Sequence, residues 1–272
     1  MALDVRPIIP SRFFGHKTRG AAPSSRIGAY IALMKLRVVE LLLVTTIPTM
    51  VLAEGGWPSI QLMAVTLIGG TLAAGGANAI NMYIDRDIDK LMVRTQNRPL
   101  VTGALTPRAA MIFAIALEFV AFLVLWAGAN LLAAVLAVSA TLFYVFVYSL
   151  WLKRTSKQNI VIGGAAGAAP VLVGWAAVTE SLGWAPFVLF LLIFLWTPPH
   201  FWALAIKHVE EYRAAKVPML PVVATMAETL RSMVIYTVAL VACSGVLVPV
   251  ADLDLVYIAV ASVTGALFLG GT

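Results

Sequence analysis

Three oxygen-bearing side chains recur at four-residue intervals in the stretch from Asn78 to Arg98, N-A-I-N-M-Y-I-D-R-D-I-D-K-L-M-V-R-T-Q-N-R: Asn81, Asp85 and Asp89. On an α-helix each step of four residues drifts by about 40°, so the three share one face and Asp87 points elsewhere. Two carboxylates held this close repel each other unless a cation joins them. Mg²⁺ suits the set, because it takes one or two carboxylates and completes its shell with water and phosphate oxygens. Asn78 adds a further amide on the approach, and Arg94 and Arg98 follow as cations suited to phosphate. The chemistry this pattern serves is metal-assisted binding of a diphosphate. The plainer alternative is a solvated helix end that pairs with Arg86 and Lys90. The functional reading is favoured because the set emerges from a long apolar run, where ionisable groups are costly.

A second constellation runs from Trp196 to Pro221, W-T-P-P-H-F-W-A-L-A-I-K-H-V-E-E-Y-R-A-A-K-V-P-M-L-P. Pro198-Pro199 predicts a broken or kinked helix. Beyond it His200, Lys207 and Glu211 stand at i, i+7 and i+11, within an arc of about 40°. His200 reads either as a ligand or as a helix-end histidine bonded to a carbonyl freed by the prolines. His208 falls about 80° from His200 and reads as surface. Between the two constellations lies Y-S-L-W-L-K-R, with Tyr148, Lys153 and Arg154, followed by N-I-V-I-G-G-A-A-G-A-A-P from Asn159 to Pro170. The small residues Gly163, Gly164 and Gly167 read as close helix packing or as room for a bulky planar ligand. Lys35 and Arg37 add two cations near the start of the first apolar run.

The elements that must position these groups are long apolar segments. Of 272 residues, 61% are hydrophobic and 12% charged, about half the charged share of an ordinary soluble protein. The apolar runs, near 38–53, 60–84, 109–128, 131–152, 160–178, 185–206, 232–250 and from 254 onward, have the length a bilayer core asks of a helix. Alternating segments of the β-barrel kind are absent. The predicted fold is all-α, a polytopic transmembrane helix bundle of eight visible spans in two pseudo-repeated four-helix halves around a central cavity. Residues 1–37 read as a basic cytoplasmic segment and 38–272 as the transmembrane domain. All 19 Lys and Arg residues fall in the N-terminal segment and the even-numbered loops, so those regions face the cytoplasm. The first 26 residues show no apolar run of the secretory-signal kind. One cysteine, Cys243, excludes a disulfide framework or a cysteine-based metal site.

Together these motifs resemble the UbiA-type intramembrane prenyltransferases, and the last three resemble their haem-prenylating branch. The resemblance covers about Lys35 to Pro221. It implies nine helices around a cavity, and transfer of farnesyl from farnesyl diphosphate to a vinyl group of haem B, with water addition, giving haem O and diphosphate. It implies that Asn81, Asp85 and Asp89 hold Mg²⁺–diphosphate. It assigns Asp85, Asp89, Tyr148, Lys153 and Glu211 to catalysis. Asn78, Asn81, Arg94, Arg98, Arg154, His200, Lys207, Lys35 and Arg37 are assigned to substrate binding. Further implications are a bacterial plasma (inner) membrane location rather than a mitochondrial one, contact with membrane lipid and with haem A synthase or terminal-oxidase assembly, and no nucleic acid. The sequence departs from the family in two ways. Glu211 stands where the family often has Asp, and a second D-x-x-x-D, carried by quinone-type relatives, is missing. The alternatives are a quinone- or chlorophyll-precursor prenyltransferase and an ion-coupled transporter. Glu118, in the middle of its span, counts for the transporter.

Overall fold

The computed structural model describes residues 25–271; the expected basic residues Arg6, Arg12, Lys17 and Arg19 lie outside them. The described residues are helices joined by turns. A short helix α1 (Arg26–Met34), capped by the Ser25 hydroxyl, leads through Lys35 into α2 (Leu36–Glu54). Next come α3 (Ile60–Ile84), the short α4 (Pro99–Thr102), α5 (Pro107–Gly128) and α6 (Leu131–Leu142). The α6 rod continues as a π-helix over Phe143–Leu152 and ends in α7 (Lys153–Thr155). Then follow α8 (Asn159–Thr179), α9 (Trp184–Lys207), α10 (Val209–Ala214), α11 (Leu220–Val223), α12 (Met226–Val250) and α13 (Leu255–Gly271).

Among the described residues seven helices are long and apolar enough to cross a membrane, with α13 a shorter apolar helix after them. The protein is a multi-pass membrane protein of all-helical fold, and each of the eight expected spans corresponds to a helix. Their boundaries follow local chemistry. Ser59, Thr106 and Asn130 accept from the third residue of their helices, which satisfies donors that a helix start leaves free. Thr225 and Glu228 form a reciprocal capping box that starts α12, six residues before the expected span. Gly55, at φ 68°, closes α2 in the left-handed region.

Two expectations need correction. The helix bearing Asn81 does not run on through Asp89: α3 ends at Ile84, and Asp89 sits on a 3₁₀ turn, Ile88–Lys90. The cause is tertiary. Arg154 donates to the Ile84 carbonyl at 3.0 Å and Arg86 to that of Tyr83 at 2.7 Å, so side chains take the terminal acceptors. Pro198 and Pro199, in turn, do not break α9, which continues from Trp184 to Lys207. His200 is therefore inside a helix, and the helix-end reading of it fails.

The helices enclose a cavity. α2 packs on α3 and α8, α3 on α5, α6 on α5 and α8, α8 on α9, and α9 on α12. The end of the bundle away from Asp85 is filled by a core of mostly small side chains, Ala73, Ala121, Leu125, Ala133, Ala134, Ala137, Val173, Ala176 and Ala177.

Candidate functional site

The end of α3 carries a buried polar chain just beyond Asn78, which lines this cavity together with Tyr144 and Tyr148. Lys35, held left-handed between α1 and α2, donates its ammonium to Asn81 Oδ1 at 2.8 Å. Asn81 Nδ2 donates to Asp85 Oδ2 at 2.9 Å and to Ser149 Oγ at 3.0 Å. Lys153 donates to the same Asp85 oxygen from the opposite side. Asp85 is 0% exposed and Asp89 2%. The Asp89 N–H bonds the Asp85 carbonyl at 2.9 Å, so the turn holds the second carboxylate next to the first even though the helix has ended. Arg98 pairs with Asp89 at 2.6 Å. Asn78 anchors the assembly by donating to the Met34 carbonyl at 3.0 Å. Burial, followed by the nearby charges of Arg98 and Lys153, pulls the Lys35 ammonium well below the ordinary lysine range.

Asp87 does point away, as the helix-face reading expected. It is exposed and pairs with both nitrogens of the Arg154 fork at 2.7 Å. The guanidinium bonds hold its carboxyl at about 2.

Asp85 supplies the test for a divalent cation. Its Oδ1 is buried and has no hydrogen-bond donor, an orphan that a buried carboxylate does not ordinarily keep. Among the described residues no three His, Cys, Asp or Glu side chains gather as a complete metal cage. Two carboxylates, one with a free buried oxygen, fit Mg²⁺ that takes its remaining ligands from water and phosphate. Asp85 and Asp89 would hold it. Asn81 Oδ1 accepts from Lys35 at 2.8 Å and keeps a second lone pair.

The expected arc of His200, Lys207 and Glu211 loses only its last member: His200 and Lys207 stay seven residues apart on α9, both exposed, and Glu211 lies on α10. His200 stacks on Trp196 at 4.1 Å and is exposed. Glu211 instead accepts from the Arg94 N–H at 3.4 Å and meets His208 Nδ1 at 3.1 Å. Arg94 donates to the Tyr212 hydroxyl at 3.0 Å and covers its ring. These contacts bolt the loop after α3 to the loop after α9. Beneath them Ile88, Met92, Tyr148, Ile160, Tyr212, Val217 and Met219 form an apolar cluster. His208 thus belongs to this bolt and is more than surface. Arg37 is exposed near the rim.

Below the rim the cavity is an apolar slot of about 280 Å³. One wall is α3, with Gly70, Ala73, Ala74 and Ala77; the other is α8, with Gly163, Gly164, Ala166, Gly167 and Ala169. Tyr144, Tyr148 and Phe201 line the slot as well, and the two tyrosines stack at 5.4 Å. Sequence reading missed Ser149 and the π-helix that places it. On an α-helix Tyr148 and Lys153 would stand about 140° apart. The wider π turn, a feature frequent at functional sites, brings Tyr144, Tyr148, Ser149 and Lys153 toward one side. The signal present was the five-residue gap between Tyr148 and Lys153, which an α period cannot align. Glu118 accepts from Thr141 at 3.2 Å and does not line the slot.

Comparison with known proteins agrees with this geometry. The UbiA prenyltransferase family profile matches residues 42–272. A protoheme IX farnesyltransferase of Clavibacter sepedonicus is 53% identical over 253 residues, 93% of this chain and 82% of that protein. One from a Parafrankia species is 56% identical over 251 residues, 92% and 80% of the two chains. Among solved structures, a UbiA homolog from Archaeoglobus fulgidus bound to GPP and Mg²⁺ superposes with a TM-score of 0.68 at 20% identity, over 89% of this chain and 84% of that one. A digeranylgeranylglyceryl phosphate synthase structure gives 0.74 at 18% identity, over 90% and 85%. These two support the fold.

Proposed function

We propose, on the premise that the chain belongs to the UbiA prenyltransferase family, that it transfers the farnesyl group of farnesyl diphosphate to a vinyl group of haem B. Water adds to the product, giving haem O and diphosphate. The observation that carries the reading is the buried, donor-free Asp85 oxygen, on the helix end that follows Asn78 of the apolar slot. Bound Mg²⁺ would supply Lewis-acid stabilisation of the leaving diphosphate.

The residues do the rest. Without substrate, Arg98 and Lys153 pair with the Asp89 and Asp85 carboxylates, and Lys35 donates to the neutral Asn81 amide. An arriving diphosphate offers them stronger charge-assisted bonds, and they clamp it as charge builds on the departing oxygen. The allylic C1–O bond breaks, C1 joins the terminal vinyl carbon, and the adjacent carbon takes the oxygen of water, which gives up a proton. The stacked rings of Tyr144 and Tyr148 present π faces beside the allylic cation. The slot keeps bulk water from that cation before the acceptor reaches it. Two walls of Gly and Ala suit a flat macrocycle better than a single ring.

The test is product mass after incubation with farnesyl diphosphate and Mg²⁺, with haem B or 4-hydroxybenzoate as acceptor. Haem B is expected to gain farnesyl and water; prenylation of the benzoate alone would leave the family and remove the haem assignment.

The same reading puts the site at the cytoplasmic face of a bacterial inner membrane, since the cations of the described loops lie on the Asp85 side. In a Cys243→Ser background, cysteines at Thr102 and Gln158 should react with impermeant reagents from the cytoplasmic side, and cysteines at Gly56 and Ser181 from outside. All four positions are exposed. Labelling of Thr102 from outside would reverse the orientation.

A further inference from the structure

Asp89 sits on a loop that keeps its own shape. The Thr95 hydroxyl, in a residue 2% exposed, donates back to the Asp89 carbonyl at 2.7 Å and to that of Met92 at 3.3 Å. The N–H groups of Thr95 and Gln96 bond the Met92 carbonyl at 3.0 and 3.1 Å, and the Arg98 N–H bonds the Thr95 carbonyl at 3.0 Å. The Arg98 guanidinium then closes on the Asp89 carboxylate. These bonds stay within residues 89–98. They fix the shape of the loop but not its place against the rest of the bundle.

That place is set by ties that leave the loop. At one end the Asp89 N–H reaches the Asp85 carbonyl at 2.9 Å. Farther along, Arg94 is tied to α10. Its guanidinium donates to the Tyr212 hydroxyl at 3.0 Å, and its own N–H meets Glu211 Oε2 at 3.4 Å. The first bond has a charged donor and is the stronger kind; the second is long and adds less. Tyr212 can hold a position because it is itself held. It is 2% exposed, in the cluster with Ile88, Met92, Val217 and Met219. Its N–H donates to the His208 carbonyl at 3.1 Å, and its carbonyl accepts from the Val217 N–H at 3.0 Å. The Glu211 oxygens face the Arg94 N–H and His208 Nδ1, whereas Asp85 Oδ1 has no donor.

We infer that Tyr212 is a positioning residue: through Arg94 it holds in place the loop whose Asp89 carboxylate receives the metal. Glu211 assists by the same route, as a brace for Arg94 and not as a ligand of the metal. This rests on the reading above that Asp85 and Asp89 hold Mg²⁺. The path runs from the Tyr212 hydroxyl to the Arg94 guanidinium, along the backbone to Thr95, and from the Thr95 hydroxyl to the Asp89 carbonyl. Mg²⁺ is a sensitive reporter of such a path, because it demands near-ideal octahedral geometry. A ligand that wanders by more than about 0.5 Å binds it poorly.

The experiment uses Tyr212→Phe in the full chain in lipid nanodiscs. Phenylalanine keeps the ring and removes the hydroxyl alone. The Mg²⁺ concentration for half-maximal binding of farnesyl diphosphate, measured without haem, should rise about tenfold. KM for farnesyl diphosphate should rise with it, and KM for haem B should hold. In metal-free protein, amide exchange at Asp89 and Thr95 should quicken at least about fivefold. On an Arg94→Ala background the same substitution should move the Mg²⁺ requirement less than about twofold, because the hydroxyl has lost the group it acts through. Glu211→Leu should raise the requirement about threefold, and Glu211→Gln, which keeps an acceptor for the Arg94 N–H, should restore it. A wild-type Mg²⁺ requirement in Tyr212→Phe would overturn the inference, even if the thermal midpoint fell. So would an undiminished effect on the Arg94→Ala background. A rise in Glu211→Gln as large as in Asp89→Asn would make Glu211 a metal ligand. Failure of the metal reading shows separately, as an Asp89→Asn variant that keeps the wild-type requirement.

Discussion

Asp85→Asn should lower kcat/KM for prenyl transfer on the order of 10³-fold while the protein keeps its fold. Asparagine preserves the size of the side chain and an acceptor for Asn81 and Lys153, so the buried network around it stays hydrogen-bonded. What is lost is the negative charge and the buried oxygen that lacks a donor. Mg²⁺-dependent binding of the diphosphate should fall with turnover, and the thermal midpoint should hold. Asp89→Asn should behave alike, because that carboxylate is also buried and paired with Arg98 at 2.6 Å. Asp87→Asn is the control. Its carboxylate is exposed and tied to Arg154, and an exposed pair contributes at most about 1 kcal/mol. Its pKa lies below the ordinary carboxylate value, so what the pair contributes is present above about pH 4 and lost only as pH falls toward 2. Between pH 5 and 8 the control variant should therefore track wild type within about threefold. Equal losses at all three positions, or full wild-type turnover in chelator, would remove the metal site.

The bundle was legible in the sequence because each span announces itself by an apolar run that no soluble chain keeps. Span ends that depend on local caps, such as Thr106 and Asn130, fell within a few residues of their expected places. The end of α3 did not, because the Ile84 carbonyl is taken by Arg154, 70 residues later, while Arg86 takes that of Tyr83. No window around Asp85 contains the Arg154 contact. The same limit explains Glu211. Helical spacing aligned it with His200, but α9 stops at Lys207 and the carboxylate turns to Arg94 and His208 across the loops. The carboxylates of the site were found because charge in an apolar context is itself a signal. Ser149 was not, because its role depends on a π turn that widens the helix, and residue types alone do not declare one. Of the break or kink expected at the proline pair, the break does not occur, for a related reason. Prolines inside a bundle lose backbone bonds that neighbouring groups make good, so a helix within a membrane can run through them.

Gly167→Leu should reduce haem farnesylation by about 100-fold through steric loss alone. The three glycines of α8 looked equivalent in the sequence, and the structure separates them. A Cβ at Gly163 would come within 2.3 Å of Tyr148 Cδ2, and one at Gly164 within 3.1 Å of Thr197 Cβ. Gly163 is thus required for the close approach of the π-helix, and Gly163→Leu should cost stability, of order 1–3 kcal/mol for overpacking. A Cβ at Gly167 meets nothing within 4 Å, although the residue lines the slot. A leucine there starts from an unobstructed Cβ and takes up space in the slot. The expected pattern is a preserved thermal midpoint, preserved binding of inorganic diphosphate with Mg²⁺ at Asp85 and Asp89, and lost transfer to haem B. For Gly163→Leu the thermal midpoint falls together with activity. Wild-type turnover in Gly167→Leu would mean that the α8 wall faces neither substrate, and the slot between α3 and α8 would lose its place in the reaction. The contrast between two glycines one helical turn apart, one packed and one open, separates a wall that holds the protein together from a wall that holds the substrate.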